Sequence, residues 1–146
     1  MGDHEHAGDG TTYICENLNH RIQVLNHAWV HQRFIGGGEG GEFNFPQDLA
    51  LDSDDRLHVL DSGNHRICIL DHSYRIVNTL GSRGTGEGQF EWPQALIIDD
   101  KDNIYVCDSG NHRVQIFTAK HHFMVEIGGF GEGDRSIGGL GEGKSI

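Results

Sequence analysis

The sequence predicts an all-β chain built from repeats of one four-stranded unit, and three observations predict it. The tripeptide Asn-His-Arg stands at Asn19-His20-Arg21, Asn64-His65-Arg66 and Asn111-His112-Arg113, at intervals of 45 and 47 residues. Its surroundings recur with it: Phe45-Pro46-Gln47 returns as Trp92-Pro93-Gln94, and the stretch Arg56 to Gly63 returns as Asn103 to Gly110, with a shorter early copy from Thr12 to Leu18. Within each period the apolar residues form short runs rich in Val, Ile, Leu and aromatics between Gly, Asp, Asn and Ser, which is strand patterning and leaves no room for a long helix.

Taken in order, strand a covers Gln47 to Asp52 and Gln94 to Asp99, and strand b covers Tyr13 to Cys15, Leu57 to Leu60 and Ile104 to Cys107. Strand c follows the Asn-His-Arg turn as Ile22 to Leu25, Ile67 to Leu70 and Val114 to Phe117; strand d runs over Trp29 to Ile35, Tyr74 to Leu80 and Phe123 to Ile127. Four antiparallel strands per period, with a Gly-rich crossover into the next copy, is the spacing of a propeller blade. The expected organisation is a flexible N-terminal tail over 1–11, blades over 12–40, 41–86 and 87–133, and a Gly-rich tail or start of a further repeat over 134–146.

The motif elements Phe45-Pro46 with Trp92-Pro93, Asp61 with Asp108, Asn64 with Asn111 and Arg66 with Arg113 resemble the NHL-repeat β-propellers. The first copy departs from that pattern with Glu16-Asn17-Leu18 where the others have Asp-Ser-Gly. The resemblance implies an all-β propeller of NHL type with about three four-stranded blades, a partial ring in a family usually six-bladed. Such an arc has two open edges. They would be closed by further blades on a longer chain, or by a two-fold dimer of half rings completing one six-bladed ring.

Composition narrows the function. Asp and Glu number 22 against 11 Lys and Arg, a net charge of -11, which disfavours nucleic acid and anionic membranes as partners. The sequence has no apolar run long enough to span a bilayer and no signal-peptide pattern at Met1 to His6, so the expectation is a soluble, cytoplasmic protein with no membrane partner. Three cysteines, Cys15, Cys68 and Cys107, have no metal-binding spacing and read as core residues.

The repeated Asp61, Asn64 and Arg66, their equivalents Asp108, Asn111 and Arg113, and Glu16, Asn19 and Arg21 in the first copy read as a structural motif of the b–c turn, since an active site needs one asymmetric set and these recur in every blade. Asp52 and Asp99 read as turn formers. The variable turns carrying His72, Tyr74, Lys120 and His121 are the candidate binding loops, because loops on a rigid scaffold carry recognition. Gly138 to Ser145 fits G-x-x-x-x-G-K-S and Gly36 to Gly41 fits G-x-G-x-x-G, but neither lies in a strand–loop–helix context. The eleven histidines show no metal spacing: His20, His65 and His112 fall in turns expected to be exposed, and His4 and His6 in the tail. No catalytic, cofactor-binding or metal residue and no cofactor is therefore expected.

The leading expectation is a non-catalytic scaffold that binds a protein partner. The resemblance to NHL domains of tripartite-motif ubiquitin ligases implies substrate recruitment in ubiquitination, with any RING elsewhere. The alternatives are an RNA-binding module, which would use Arg21, Arg66 and Arg113, and a fragment of a propeller lyase or hydrolase with a channel metal.

Overall fold

Each sheet is a meander of consecutive antiparallel strands, as the repeat pattern requires. A computed structural model describes residues 4–38 and 41–128. The first blade contains β1 (His4–His6), β2 (Thr12–Glu16), β3 (Arg21–Leu25) and β4 (His31–Gly36). The second contains β5 (Pro46–Leu51), β6 (Leu57–Asp61), β7 (Arg66–Leu70) and β8 (Ile76–Leu80). A two-residue parallel pair, β9 (Ser82–Arg83) with β10 (Gln89–Phe90), ties the crossover. The third blade contains β11 (Ala95–Ile98), β12 (Ile104–Asp108), β13 (Arg113–Phe117) and β14 (Phe123–Gly128). In every blade the spatial order follows chain order. All-β propeller architecture with about three four-stranded blades is thus what the residues form.

Two elements depart from the sequence reading. Residues 4–6, placed in a flexible tail, are the first strand of the first blade, paired antiparallel with β2 through Glu5 and Tyr13. Only three residues long and rich in charge and histidine, this strand lacks the apolar run by which the others are recognised. Strand d begins later than Trp29 and Tyr74, because Asn26 and Asp71 close turns ahead of it. The Asn26 carboxamide oxygen accepts from the N–H of Ala28 and Val30, and the Asp71 carboxylate from Ser73 and Arg75. These turns leave Trp29 and Tyr74 left-handed, at φ 64 and 65.

The middle blade shows why its strands read as nearly continuous apolar runs. With a side-chain period of two, Leu57, Val59, Cys68 and Leu70 pack toward the first blade with Tyr13, Cys15, Ile22 and Val24. Leu60, Ile67 and Ile69 pack the opposite way, toward Leu96, Ile104, Val106 and Phe117 of the third blade. One core therefore fills each blade boundary. In the third blade β12 and β13 alternate between buried and half-buried positions, since the described residues cover only one face of that sheet. Cys107 lies on the uncovered side and is half-buried, which corrects its expected place in the core.

Crossovers enter each boundary through a phenylalanine. Phe43 and Phe90 are buried and press against Gly36 and Gly81, where a Cβ would collide with the ring. No helix among the described residues is long and apolar enough to cross a membrane.

Candidate functional site: the b–c turn face

Every b–c connection is one 3-10 turn closed by a left-handed histidine: Asn17–Asn19 ends at His20, Ser62–Asn64 at His65 and Ser109–Asn111 at His112, with φ of 54, 55 and 54. The preceding carboxylate organises the turn. Asp61, fully buried, accepts from the Asn64 carboxamide at 2.9 Å, Arg66 Nε at 2.9 Å and the backbone N–H of Asn44 at 2.7 Å. Asp108 repeats the set with Asn111 at 2.9 Å, Arg113 at 2.8 Å and the N–H of Glu91 at 2.8 Å. Glu16, one methylene longer, reaches Arg21 at 2.6 Å, Asn19 at 3.4 Å and also Gln23 at 2.8 Å. Burial opposes ionisation of Glu16, but its hydrogen bonds from Arg21, Asn19 and Gln23 outweigh that, and its carboxyl titrates below the usual range. Each of the three motif sets is therefore brought together within its own blade.

The arginines are consumed by this arrangement. Arg113 donates to Asp108, Glu126 and the carbonyls of Thr85, Gly86 and Gln89, and its side chain is 5% exposed. Arg66 donates to Asp61 and the carbonyl of Glu42, while the Arg21 guanidinium also lies 3.7 Å above the Phe34 ring. The only regular arginine series thus serves the scaffold.

The turn histidines were expected to be exposed, and His20 and His112 are, but the residue has a further task. His20 Nδ1 accepts the N–H of Phe45 at 2.7 Å, and His65 Nδ1 that of Trp92 at 2.9 Å, each in the following blade. His65 is accordingly buried. Phe45 and Trp92, both left-handed before proline at φ 56 and 47, hold their rings at this face. The result is a row of edge-to-face contacts: His20 to Phe45 at 6.2 Å, Phe45 to Trp92 at 6.4 Å and Trp92 to His65 at 5.5 Å between ring centroids. Trp92 remains 47% exposed and Leu18, on the first turn, 78%. An open cleft of about 400 Å³ lies beside the row, lined by Asn19, His20, Phe43, Asn44 and Asn64 among others.

Residues 43–70 and 90–117 match the NHL repeat. The chain belongs to the NHL-repeat β-propellers. No curated protein matches it in sequence. Among solved structures it is similar to virginiamycin B lyase from Staphylococcus aureus, at 14% identity and a TM-score of 0.64 over 86% of this chain and 40% of that one. It is also similar to Kuenenia stuttgartiensis hydrazine synthase, at 15% identity and 0.68 over 90% and 36%, and to a nidogen/laminin complex, at 18% and 0.61 over 80% and 42%. At these identities the likeness shows the propeller fold, and the chain spans about two fifths of the length of those chains.

The NHL repeats carry the expected binding loops to the opposite end of the blades. Tyr74 turns inward, its hydroxyl sharing a 3.0 Å hydrogen bond with that of Tyr13, and His121 meets Asn78 at 3.3 Å. His72 Nε2 lies 2.7 Å from the carbonyl of Asp54, and Lys120 is exposed. The segment Gly138 to Ser145 and the whole 134–146 stretch lie outside the described residues, as do His4's side chain and part of Gly36 to Gly41. Among the described residues no group of three metal-ligating side chains converges. Sequence reasoning missed the Phe45–Trp92 face; the only signal for it was an aromatic before proline in both full repeats.

Proposed function

We propose that this NHL-repeat arc is a non-catalytic scaffold whose b–c turn face binds a protein segment. The observation that carries the reading is the ring row His20–Phe45–Trp92–His65, which holds a half-exposed tryptophan rigidly and reaches an open cleft at its His20 end. Aromatic anchors on a rigid frame are how interface hot spots are built. An apolar side chain of the partner would seat on Trp92 and Phe45, with the amides of Asn19 and Asn64 bonding its backbone. The turns with His72, Tyr74, Lys120 and His121 provide a second rim at the opposite end. Within a ubiquitin ligase such a face would recruit substrate, the RING being supplied elsewhere, and the reading places the chain in the cytoplasm. The three described blades make half of a six-bladed ring, which further blades of a longer chain or a second copy would complete.

Peptides selected from a random display library on the immobilised chain test the binding face. Trp92→Ala should weaken the selected peptides by about tenfold or more, while Met124→Ala, exposed on β14, leaves them unchanged. Peptides indifferent to Trp92 would sink the reading.

A further inference from the structure

The two boundaries between the described blades are closed at the c–d turn end by one pair of rings each. A left-handed residue of the c–d turn lays its ring on the b-strand ring of the blade before. Tyr74 meets Tyr13 with centroids 5.9 Å apart, and His121 meets His58 at 6.5 Å. Their φ values are 65 and 69, so the two turns present their rings alike. The chemistry of the pairs differs. The tyrosine hydroxyls share a 3.0 Å hydrogen bond and stay neutral over the physiological range, whereas histidine changes charge within it.

His121 is held in a way that fits its neutral form. Its Nδ1 lies 3.3 Å from the carboxamide nitrogen of Asn78, a group that donates and does not accept, so Nδ1 is the acceptor. That carboxamide is locked in orientation, because its oxygen accepts the N–H of Thr79 at 2.9 Å. A proton on Nδ1 would set donor against donor. His58 donates from Nδ1 to the carbonyl of Arg56 at 3.3 Å, which leaves Nε2 as its base, and its strand neighbours are the apolar Ala50 and Ile69.

The charged groups around the pair do not rescue an added proton. Asp52 and Asp102 favour it on His58, but burial of the ring outweighs them. Both carboxylates are engaged elsewhere: Asp52 accepts the N–H groups of Asp54 and Arg56, and Asp102 accepts the N–H and the hydroxyl of Ser53. Beside His121 stands His122, whose charge in acid has the same sign.

We infer that the His58–His121 pair is an acid latch: protonation of His121 releases the c–d turn of the third blade from the second blade, while the tyrosine pair keeps the first boundary closed. The release is local, since the two blades stay joined through their shared core of Leu60, Ile67, Ile104 and Val106. The latch lies at the opposite end of the blades from the b–c turn face and does not depend on what that face binds.

Nuclear Overhauser contacts between ring protons, followed from about pH 7.5 to 5 on the whole chain, test it. The His58–His121 contact should be lost as pH falls, and the Tyr13–Tyr74 contact should persist. Asn78→Asp keeps one oxygen for Thr79 and offers the other to a protonated Nδ1, so it should hold the contact to a pH lower by about one unit. His58→Tyr combined with His121→Tyr copies the first boundary and should abolish the acid response. Asn78 is exposed, so its variant decides even where the doubly substituted chain fails to fold. A His58–His121 contact that survives acid, a joint loss of both ring pairs, a loss at the same pH in Asn78→Asp, or an acid response retained by the paired tyrosines would each overturn the inference.

Discussion

His65 Nδ1 accepts the backbone N–H of Trp92 at 2.9 Å, across the boundary between the second and third blades. Asn64 and Arg66, its neighbours in sequence, both bond Asp61 of their own blade. One tripeptide thus divides its labour: asparagine and arginine fix the turn, and the histidine between them staples the next blade. His65→Ala would leave a part-buried N–H without its acceptor and place alanine in a left-handed conformation. A loss of about 1–3 kcal/mol is expected in denaturant unfolding. His65→Asn, which tolerates that conformation, should cost less.

The three arginines should rank by burial. Asp108 is fully buried and Arg113 is 5% exposed, so Arg113→Ala strands a carboxylate and several carbonyls and should cost about 3–5 kcal/mol. At Arg66, whose side chain is 30% exposed, water can replace part of the guanidinium, and the cost should be smaller. Arg21, with Glu16 also partly exposed, should cost least. Equal losses in urea unfolding at the three positions would refute the ranking.

Strand types, blade boundaries and the carboxylate–Asn–Arg sets were legible because each is repeated, and repetition separates signal from accident in one sequence. What lies between repeats was less so. β1 was hidden because a strand of three residues, His4–His6, has no measurable period. The role of His65 was hidden because its partner, Trp92, lies 27 residues away and contributes a backbone N–H, which any residue type except proline would supply. The ring row was hidden for a related reason: Phe45 and Trp92 entered the sequence reading only as repeated residues before proline, and the left-handed backbone that holds their rings at this face is not written in the residue types. Tyr74 and His121 looked like free loop residues, and the same backbone conformation turns them inward.

Gly81 should be irreplaceable. Its φ is 108, and a Cβ there would strike the Phe90 ring, which is buried between the second and third blades. Gly81→Ala must displace that ring and strain the backbone together, at a cost of about 3 kcal/mol or more. Gly41, at φ 57 with open space around it, carries only the backbone penalty, about 1 kcal/mol in Gly41→Ala. The difference between the two melting temperatures measures the share due to the ring.

A further prediction concerns acid. Burial lowers the affinity of both His58 and His121 for protons, and the charge of neighbouring His122 adds to the effect at His121. In the unfolded chain both revert to an ordinary pKa of about 6.5. Above that pH both are neutral in either state and stability is unaffected by them. As pH falls from about 6.5 toward the lower folded values, the unfolded chain binds more protons than the folded one, so stability must fall. The carboxylates held below their usual range, among them Glu16, Asp71 and Asp99, lose their contributions only at about pH 4 and lower, leaving the window from about pH 6.5 to 5 to the histidines. Melting temperature should therefore drop across that window. His58→Leu removes the buried base whose pKa burial depresses and should flatten the drop, while a slope unchanged by it would place the acid sensitivity elsewhere in the blades.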